Sequence, residues 1–209
     1  MKIKCLEIEN FRGFNGKHEI NFSVDDDKPV TLILAENGTG KSNILEAIQW
    51  CLHGTMPPCD DPDSVINKQA RRKNTNANAK VRLQIIDDAE SVFTKKKKPE
   101  YTISRIISKD KELVEPEVWE RDPTIKGGFR KHERPRSLIE NLLPERLCSY
   151  FLFSGEWMSS MFNEAEEESL INSIEDLQGL TFASKSLQRL QHYYSHLDTK
   201  LIRSNKANE

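Results

Sequence analysis

The chain has 209 residues, 36% of them hydrophobic and 31% charged, which suffices for one domain or for a domain with an appendage. Its formal net charge is −2, so no global field draws it onto nucleic acid, and any DNA contact has to come from local basic clusters. Residues 1–6 lack the apolar core of a signal peptide, and no apolar run approaches the roughly 18 residues of a membrane span, so we expect no membrane partner.

The first predicted elements are strands separated by turns. Residues 2–9 alternate polar and apolar side chains as a half-buried strand does, and 17–23 resume the alternation after a turn at 10–14. Residues 30–34 (VTLIL) form a nearly continuous apolar run, which is typical of a central strand buried on both faces.

This apolar run leads directly into Ala35–Ser42 (AENGTGKS), and a helix is predicted after it. From Ser42 to about Leu52, apolar residues recur at helical spacing, and Gly54 is placed to end the helix. A strand, a glycine-containing loop, a Lys-Ser pair and an amphipathic helix, in this order, are the sequence context of a P-loop.

The residue types of this loop suit a bound triphosphate. Gly38 and Gly40 allow backbone N–H groups to turn inward and, with the positive end of the helix, to form an anion nest. We expect Lys41 to reach the β- and γ-phosphates and the Ser42 hydroxyl to ligate Mg²⁺. Ala35 stands where the motif has glycine, which adds a modest backbone strain at worst. The predicted ligands are ATP and Mg²⁺, and the predicted nucleotide-binding residues are Glu36, Asn37, Gly38, Thr39, Gly40, Lys41, Ser42 and Asn43.

Two further strands and a charged segment are predicted next. Residues 79–87 and 100–108 have the pattern of strands, with Lys95–Lys98 near the tip between them. Residues 109–136 are charged and rich in Pro and Gly, so we expect irregular structure there. The first of these strands ends in Asp87-Asp88, which is either a magnesium-binding acid or an Asp-rich turn. Its alternation favours the turn, because a strand that supplies such an acid should be buried on both faces.

The remaining sequence predicts helices around one more strand. Residues 137–148 have a helical pattern, 150–153 (YFLF) predict a buried strand, and an acidic helix starts near Asn163. A seam with the 3, 4, 3, 4 spacing of heptad a and d positions follows, formed by Leu187, Leu190, Tyr194, Leu197 and Leu201. So short a seam fits the start of a coiled coil, and it also fits an amphipathic helix packed on the domain.

Cysteine usage bears on the cellular compartment. The four cysteines are scattered and form no CxxC pair; they are Cys5, Cys51, Cys59 and Cys148. Three lie in or beside apolar runs, so buried free thiols are expected, and a cytoplasmic location follows.

Several segments carry a family pattern in the same order. They are Leu6–Phe14 (LEIENFRGF), Asn37–Asn43 followed by Leu45–Ile48 and Cys51–Gly54, Tyr150–Glu156 (YFLFSGE), and Ile174–Leu180. They resemble, in turn, the opening strand and turn, the P-loop helix, the Q-loop and the entry to the coiled coil in the SMC, RecF and double-strand-break-repair class of ABC-type ATPases. The Q-loop segment is most similar to the branch with DndD-type proteins and SMC-like subunits of Lamassu-type phage defence.

The resemblance implies a fold, a domain plan and partners. The implied fold is an α/β P-loop NTPase, the N-terminal lobe of an ABC-type head, with a mixed sheet plus antiparallel strands. Residues 1–180 would form the head lobe, and 181–209 the start of a coiled-coil arm. In this family a C-terminal ATPase lobe carries the signature motif, the Walker B acid and the switch His, and two heads enclose two ATPs. The implied partners are that lobe, a second head in a homodimer, DNA, and a nuclease or effector subunit.

Ser154 and Arg12 occupy positions that the resemblance places near the nucleotide. Ser154 stands where the family has its Q-loop glutamine, so at most a water-mediated contact with Mg²⁺ is expected of it. Arg12 matches a family position near the nucleotide, and an exposed turn arginine is the alternative. The groups that drive hydrolysis are expected outside residues 1–209.

Basic clusters are the candidate DNA contacts. They are Arg71, Arg72 and Lys73; Lys95, Lys96, Lys97 and Lys98; and the segment 121–136. Phosphate binding by such clusters is independent of sequence and sensitive to salt. A solvated surface is the alternative for each of them, whereas three clusters on one lobe favour at least one DNA contact.

Three functions remain open from the sequence. The first is a DNA-associated ATPase whose head closes on ATP and moves coiled-coil arms. The second is a nucleotide-gated structural clamp or sensor with little turnover, an interpretation to which Ala35 and Ser154 lend weight. The third is an unrelated small P-loop kinase, against which the terminal heptads and the lack of an Arg-rich lid helix argue.

Overall fold

In the computed structural model, the residues described are 1–55, 62–87, 98–108, 115–125, 128–153 and 155. The chain divides into two compact units, Met1–Leu152 and Phe153–Glu209, and nearly all of the described residues belong to the first. The predicted arm over 181–209, with its heptad seam, lies outside the described residues, and so does Ser154.

Within the described part of the chain, six strands form one antiparallel sheet. In chain order they are β1 (Lys2–Glu9), β2 (Lys17–Asn21), β3 (Asn78–Ile86), β4 (Glu100–Ser108), β5 (Glu117–Arg121) and β6 (Phe129–Lys131). Their spatial order is β2-β1-β3-β4-β5-β6, and every neighbouring pair is antiparallel. Alternate residues of the central strands are fully buried on one face, among them Ile8, Val81, Leu83 and Ile103.

The longest described helix, α1 (Lys41–His53), packs on this buried face against β3 and β4. Its buried residues are Ala47, Ile48, Trp50, Cys51 and Leu52. Burying each large apolar side chain contributes about 1.5–3 kcal/mol, so the core fixes α1 firmly. The shorter helices are α2 (Pro62–Val65), α3 (Lys68–Lys73), α4 (Pro135–Leu142) and α5 (Cys148–Phe151), with a 3₁₀ turn at Glu145–Leu147.

The structure confirms the α/β class and most of the predicted elements in the first half of the chain. The four strands β1 to β4 were predicted to within two residues at each end. Gly54 ends α1 as predicted, with φ 77° and its N–H donating to Trp50 O at 2.9 Å. The alternating burial of β3 is also confirmed, since Ala79, Val81, Leu83 and Ile85 face the core.

The predicted central strand at 30–34 is wrong. These residues form no strand, and Val30, Leu32 and Leu34 are 81%, 76% and 83% exposed. No described strand pairs with the segment, so the described sheet is antiparallel throughout and lacks the parallel part that a mixed sheet would have. An apolar run predicts burial, but its burial also requires neighbouring strands and a covering layer, which the run itself does not encode.

Two predictions for residues 137–153 also need correction. The helix predicted over 137–148 is broken, because α4 ends at Leu142, Leu143 is extended, and Pro144 cannot continue the helix. The strand predicted at 150–153 is wrong, since Tyr150 and Phe151 belong to α5 and Phe151 is 58% exposed. A short apolar run cannot by periodicity alone distinguish a strand from a helical turn.

Residues 109–136 contain regular structure where none was predicted. Strands β5 and β6 pair as a hairpin through Trp119–Lys131 and Arg121–Phe129. At its turn, Asp122 Oδ1 accepts from the N–H of Thr124 at 2.9 Å, and Gly128 has φ 72°. The charged composition therefore gave no indication of this hairpin. Its buried residue Val118 packs in the core.

Candidate nucleotide-binding site

The N-terminal end of α1 has no side-chain cap. Gly40 is the N-cap residue with φ 104°, and Gly38 has φ 81°, both in the left-handed region that favours glycine. No acidic residue lies in the first turn of α1. The first-turn N–H groups and the positive end of the helix dipole therefore offer a site for an anion such as phosphate.

Lys41 closes over the loop. Its Nζ donates to the carbonyl oxygens of Ala35 and Glu36 at 2.6 and 2.8 Å, and lies 3.4 Å from Asn37 Oδ1. Thr39 Oγ1 donates to Glu36 O at 2.7 Å, which tightens the loop further. Phosphate oxygens are stronger partners for an ammonium group than carbonyls are, so a bound triphosphate would replace these bonds.

Ser42 completes the expected phosphate–metal pair. Its side chain is exposed in the first turn of α1, next to Lys41. A hydroxyl oxygen is a hard donor of the type that Mg²⁺ takes in combination with substrate phosphates. The described loop therefore fits a nucleotide with Mg²⁺, held by Lys41 and Ser42.

The turn after β1 packs against α1. Asn10 and Arg12 have φ 49° and 45°, and Arg12 Nη1 lies 2.6 Å from Glu46 Oε2. Both side chains of this ion pair are mostly buried, at 17% and 23% exposure, and Arg12 Nε has no hydrogen-bond partner among the described residues. The structure thus places Arg12 against α1, one turn from Ser42, and it is not an exposed turn arginine.

Asn43 joins the same turn to the helix. In the orientation that satisfies both groups, its amide accepts from Gly13 N and donates to Glu46 Oε2, each at 3.1 Å. A Cβ on Gly13 would lie 2.7 Å from this amide, and the Phe14 ring lies 3.5 Å from the place of a Cβ on Gly40. The sequence predicted Asn43 but not Gly13, Phe14 or Glu46, although the glycine of the turn was a signal for a close approach.

Asn67 ties this turn to α3. It is buried to 6% exposure, and its Oδ1 caps α3 by accepting from Gln69 N at 2.9 Å and Ala70 N at 3.1 Å. Its Nδ2 donates to Arg12 O at 2.6 Å. An open cavity of about 600 Å³ lies at this junction, lined by Arg12, Gly13, Ser64, Ile66, Asn67, Lys68 and Gln69. Sequence reasoning missed Asn67, although an Asn directly before a helix is a recognised start signal.

A buried arginine holds the other end of α1. Arg105, from β4, is 5% exposed and donates through Nε to Cys51 O at 3.3 Å and through Nη2 to Leu52 O at 3.1 Å. Its guanidinium also lies 6.0 Å from the Trp50 ring centroid. A cation is favourable at a helix C-terminus, so Arg105 fixes α1 from the end opposite the P-loop. No signal in the sequence identified it.

Some of the predicted DNA-contacting residues lie in the described part of the chain. Arg71, Arg72 and Lys73 form the last turn of α3, where Arg72 and Lys73 are exposed, and Lys68 adds a cation at its start. Lys98 is half-buried before β4, whereas Lys95, Lys96 and Lys97 lie outside the described residues. The basic helix α3 therefore neighbours the turn that carries Arg12.

The cysteines behave as predicted within the described residues. Cys5, Cys51 and Cys148 are free and buried, and Cys59 lies outside the described part. Burial raises the pKa of the Cys51 thiol to about 12 and that of Cys148 to about 11, so neither is a thiolate nucleophile at neutral pH. Among the described residues no cluster of three His, Cys, Asp or Glu is placed to hold a metal, and no helix is long and apolar enough to cross a membrane.

These features define a class of protein. A glycine loop and a Lys-Ser pair at the open end of a core helix, beside an antiparallel sheet, are the phosphate-binding half of a P-loop NTPase. The family model described as an AAA domain matches residues 5–209, and the chain belongs to that family. Within it, the chain corresponds to the N-terminal lobe of an SMC-like ABC-type ATPase head.

Two curated relatives and one solved structure illustrate the similarity. The chromosome partition protein Smc of Lactiplantibacillus plantarum is 46% identical over 52 residues, 25% of this chain and 4% of that protein. The DNA double-strand break repair Rad50 ATPase of Archaeoglobus fulgidus is 26% identical over 185 residues, 88% of this chain and 18% of that protein. The chain therefore spans less than a fifth of the length of these relatives.

The solved structure supports the fold. It is the Smc head domain of Pyrococcus furiosus, with an extended coiled coil and bound to the C-terminal domain of ScpA. It superposes with a TM-score of 0.63 at 22% identity, over 96% of this chain and 48% of that chain.

Proposed function

We propose that the chain is the ATP-binding lobe of an SMC-like DNA-associated ATPase, in which ATP-driven head dimerisation is coupled to DNA sensing, repair or anti-phage defence. The observation that carries the proposal is the Lys41–Ser42 pair at the uncapped end of α1, behind the left-handed Gly38 and Gly40. When bound, Mg²⁺ supplies charge neutralisation at the β- and γ-phosphates. Arg12 contributes a second cation on the same helix face, and the loop residues Glu36, Asn37, Thr39 and Asn43 shape the cradle.

Nucleotide binding is tested with two variants and one control. Lys41→Ala and Ser42→Ala should weaken binding of a fluorescent ATP analogue with Mg²⁺, and only the Ser42 variant should lose most of its dependence on Mg²⁺. Lys28→Ala removes an exposed cation before the 30–34 run and should bind the analogue as the unaltered chain does. Equal affinity of the Lys41 and Lys28 variants would refute the proposal.

The exposed 30–34 run supports the proposed C-terminal ATPase lobe as a partner. Three large apolar side chains, Val30, Leu32 and Leu34, stand almost fully exposed immediately before the P-loop. Exposed contiguous apolar surface of this kind marks an interaction site. Replacing Val30 and Leu34 by Thr should weaken association with a second lobe supplied in the full-length protein or in trans, as measured by size-exclusion light scattering. ATP-dependent dimerisation of the assembled head should then require Lys41.

The basic helix α3 supports the proposed DNA contact. Arg72 and Lys73 are exposed at its end, and Lys68 at its start. Reversing Arg72 and Lys73 to Glu should weaken duplex binding at low salt. The slope of log binding constant against log salt concentration should also become shallower, by about one for each phosphate group that is no longer bound. Reversing Lys28 and Lys80 changes the net charge equally without touching α3. Identical binding by the two double variants would leave α3 as a solvated surface.

The alternative function is a nucleotide-gated structural DNA clamp or sensor with little hydrolysis. Ala35 and Ser154 favour it, because Ala35 alters the phosphate loop and Ser154 replaces the Q-loop glutamine that the resemblance assigns to Mg²⁺ and the attacking water. The ATPase rate of the full-length protein with and without DNA separates the two functions. A DNA-stimulated rate supports the ATPase, and tight ATP binding without turnover supports the clamp. A nuclease or effector subunit is the proposed downstream partner in either case.

A further inference from the structure

We propose that Asn67 is a positioning residue of the nucleotide site, which acts by fixing the backbone of Arg12. The inference rests on the proposed function, since it concerns how the nucleotide site is held in its binding geometry. Asn67 lies in neither the P-loop nor α1, and among the described contacts it reaches the site through the turn after β1.

The backbone of Arg12 needs external support. Its φ of 45° is in the left-handed region, which is strained for a residue with a long side chain. Both of its backbone polar groups bond to one short segment: Arg12 N donates to Val65 O at 2.7 Å, and Arg12 O accepts from Asn67 Nδ2 at 2.6 Å. Asn67 N also donates at 2.8 Å to the carbonyl oxygen of Asn10, which is the other left-handed residue of the turn.

The side chain of Asn67 performs two separable tasks. Its oxygen caps α3 through Gln69 N and Ala70 N, and its nitrogen holds Arg12 O. Aspartate is as good an N-cap as asparagine, but a carboxylate cannot donate to a carbonyl. Asn67→Asp therefore keeps the cap, removes the donor to Arg12 O and adds one negative charge, which a second Asn→Asp change on α3 has to match.

The consequence for the site follows from where the Arg12 side chain lies. Its guanidinium pairs with Glu46 on α1 in a mostly buried position, and its Nε bonds to no described residue. A turn that relaxes toward ordinary φ values would redirect this side chain. The anion-binding face of α1 would then lose its second cation, while Lys41 and the loop glycines stay in place.

The test is a double-mutant cycle on the 209-residue chain, read out by binding of a fluorescent ATP analogue with Mg²⁺. Asn67→Asp should weaken binding roughly five- to tenfold, as expected for the loss of one buried hydrogen bond. Arg12→Ala should weaken it at least as much, and Asn67→Asp should add nothing further in the Arg12→Ala chain. The control Asn74→Asp makes the same chemical change at the other end of α3, and should leave the affinity unchanged.

The outcomes separate this inference from the proposed function. If the unaltered chain binds the analogue no better than Lys41→Ala, the proposed function fails, and this inference fails with it. If the unaltered chain binds and Asn67→Asp binds equally well, or if the Asn67 and Arg12 effects add, only the role of Asn67 is overturned. Circular dichroism checks that each variant is folded. Should Asn67→Asp unfold, Asn67→Ser keeps a capping oxygen without a donor that reaches Arg12, and the same cycle decides.

Discussion

Arg12 Nη1 and Glu46 Oε2 lie 2.6 Å apart and join the turn after β1 to the second turn of the P-loop helix. Glu46 also accepts from Asn43, which in turn accepts from the backbone of Gly13. One carboxylate on α1 thus organises a cation, an amide and a backbone turn beside the first-turn N–H groups. It links two segments that lie some thirty residues apart in sequence.

Glu46→Gln tests this arrangement. Glutamine keeps the size of the side chain but leaves the mostly buried Arg12 cation without its counter-charge, so the free energy of unfolding should fall by about 1–3 kcal/mol. Urea denaturation measures the change. The control is Glu120→Gln in the more exposed Arg130–Glu120 pair, which should shift stability by less than about 1 kcal/mol. Equal effects of the two variants would show that the Arg12–Glu46 pair has no special weight.

Gly38→Ala and Gly128→Ala form a matched pair. Both glycines have positive φ, 81° and 72°, and a Cβ on either meets no atom of the described residues within 4 Å. Each substitution should therefore cost about 1–2 kcal/mol of stability through backbone strain alone. Only Gly38→Ala should also lower ATP affinity, by about tenfold, because the left-handed conformation of Gly38 shapes the loop whose N–H groups form the phosphate cradle. Isothermal calorimetry gives the affinity, and loss of binding in both variants would contradict the assignment.

Arg105→Met should destabilise the protein by about 2–4 kcal/mol. The substitution removes a buried cation that hydrogen-bonds the carbonyls of Cys51 and Leu52 and lies over Trp50. Arg105→Lys should be intermediate, since an ammonium group cannot reproduce the forked guanidinium contacts. Arg136→Met changes an exposed arginine that pairs with Glu115, and should alter the urea midpoint little. A small effect at Arg105 would show that α1 is held by apolar packing alone.

His53 predicts a pH dependence of stability. Desolvation lowers its pKa below the ordinary 6.5 despite the opposing influence of Glu145 and Glu140, and its Nε2 is buried without a hydrogen-bond partner among the described residues. The unfolded chain therefore binds more protons here than the folded one, so stability rises as pH increases from below the folded pKa to about 6.5. His53→Asn should flatten this part of the profile on the acid side of about pH 6.5. An unchanged slope, measured by urea denaturation, would assign the dependence to other groups.

Local sequence patterns predicted the elements that local forces determine. The P-loop and α1 follow from glycine positions, a Lys-Ser pair and helical spacing within one short segment, and the strands β1, β3 and β4 follow from alternation. The run at 30–34 has equally strong apolar character, yet its burial depends on neighbours that are distant in sequence. The local pattern therefore predicted β3 correctly and predicted a buried strand at 30–34 wrongly.

The supporting residues of the site were beyond sequence reasoning. Glu46, Asn67 and Arg105 are ordinary polar residues in the sequence, and their roles depend on tertiary contacts with residues between 34 and 55 positions away. No periodicity or spacing rule encodes such a contact. The phosphate-binding residues were predictable because their chemistry is concentrated in eight consecutive positions, whereas the residues that hold them are dispersed over several elements.

Because the run at 30–34 is exposed, the P-loop is held by the core on its C-terminal side and much less on its N-terminal side. On its C-terminal side the loop continues into a helix fixed by the core, whereas on its N-terminal side it continues from residues that the described fold leaves largely exposed. The Ala35 carbonyl, which receives Lys41, sits at that uncovered side. Any molecule that packs on 30–34 would order the N-terminal side of the loop and reduce the entropy lost when a nucleotide binds. Thermodynamic linkage then requires the bound nucleotide to raise the affinity for that molecule by the same factor. Each ligand is therefore a positive effector of the other.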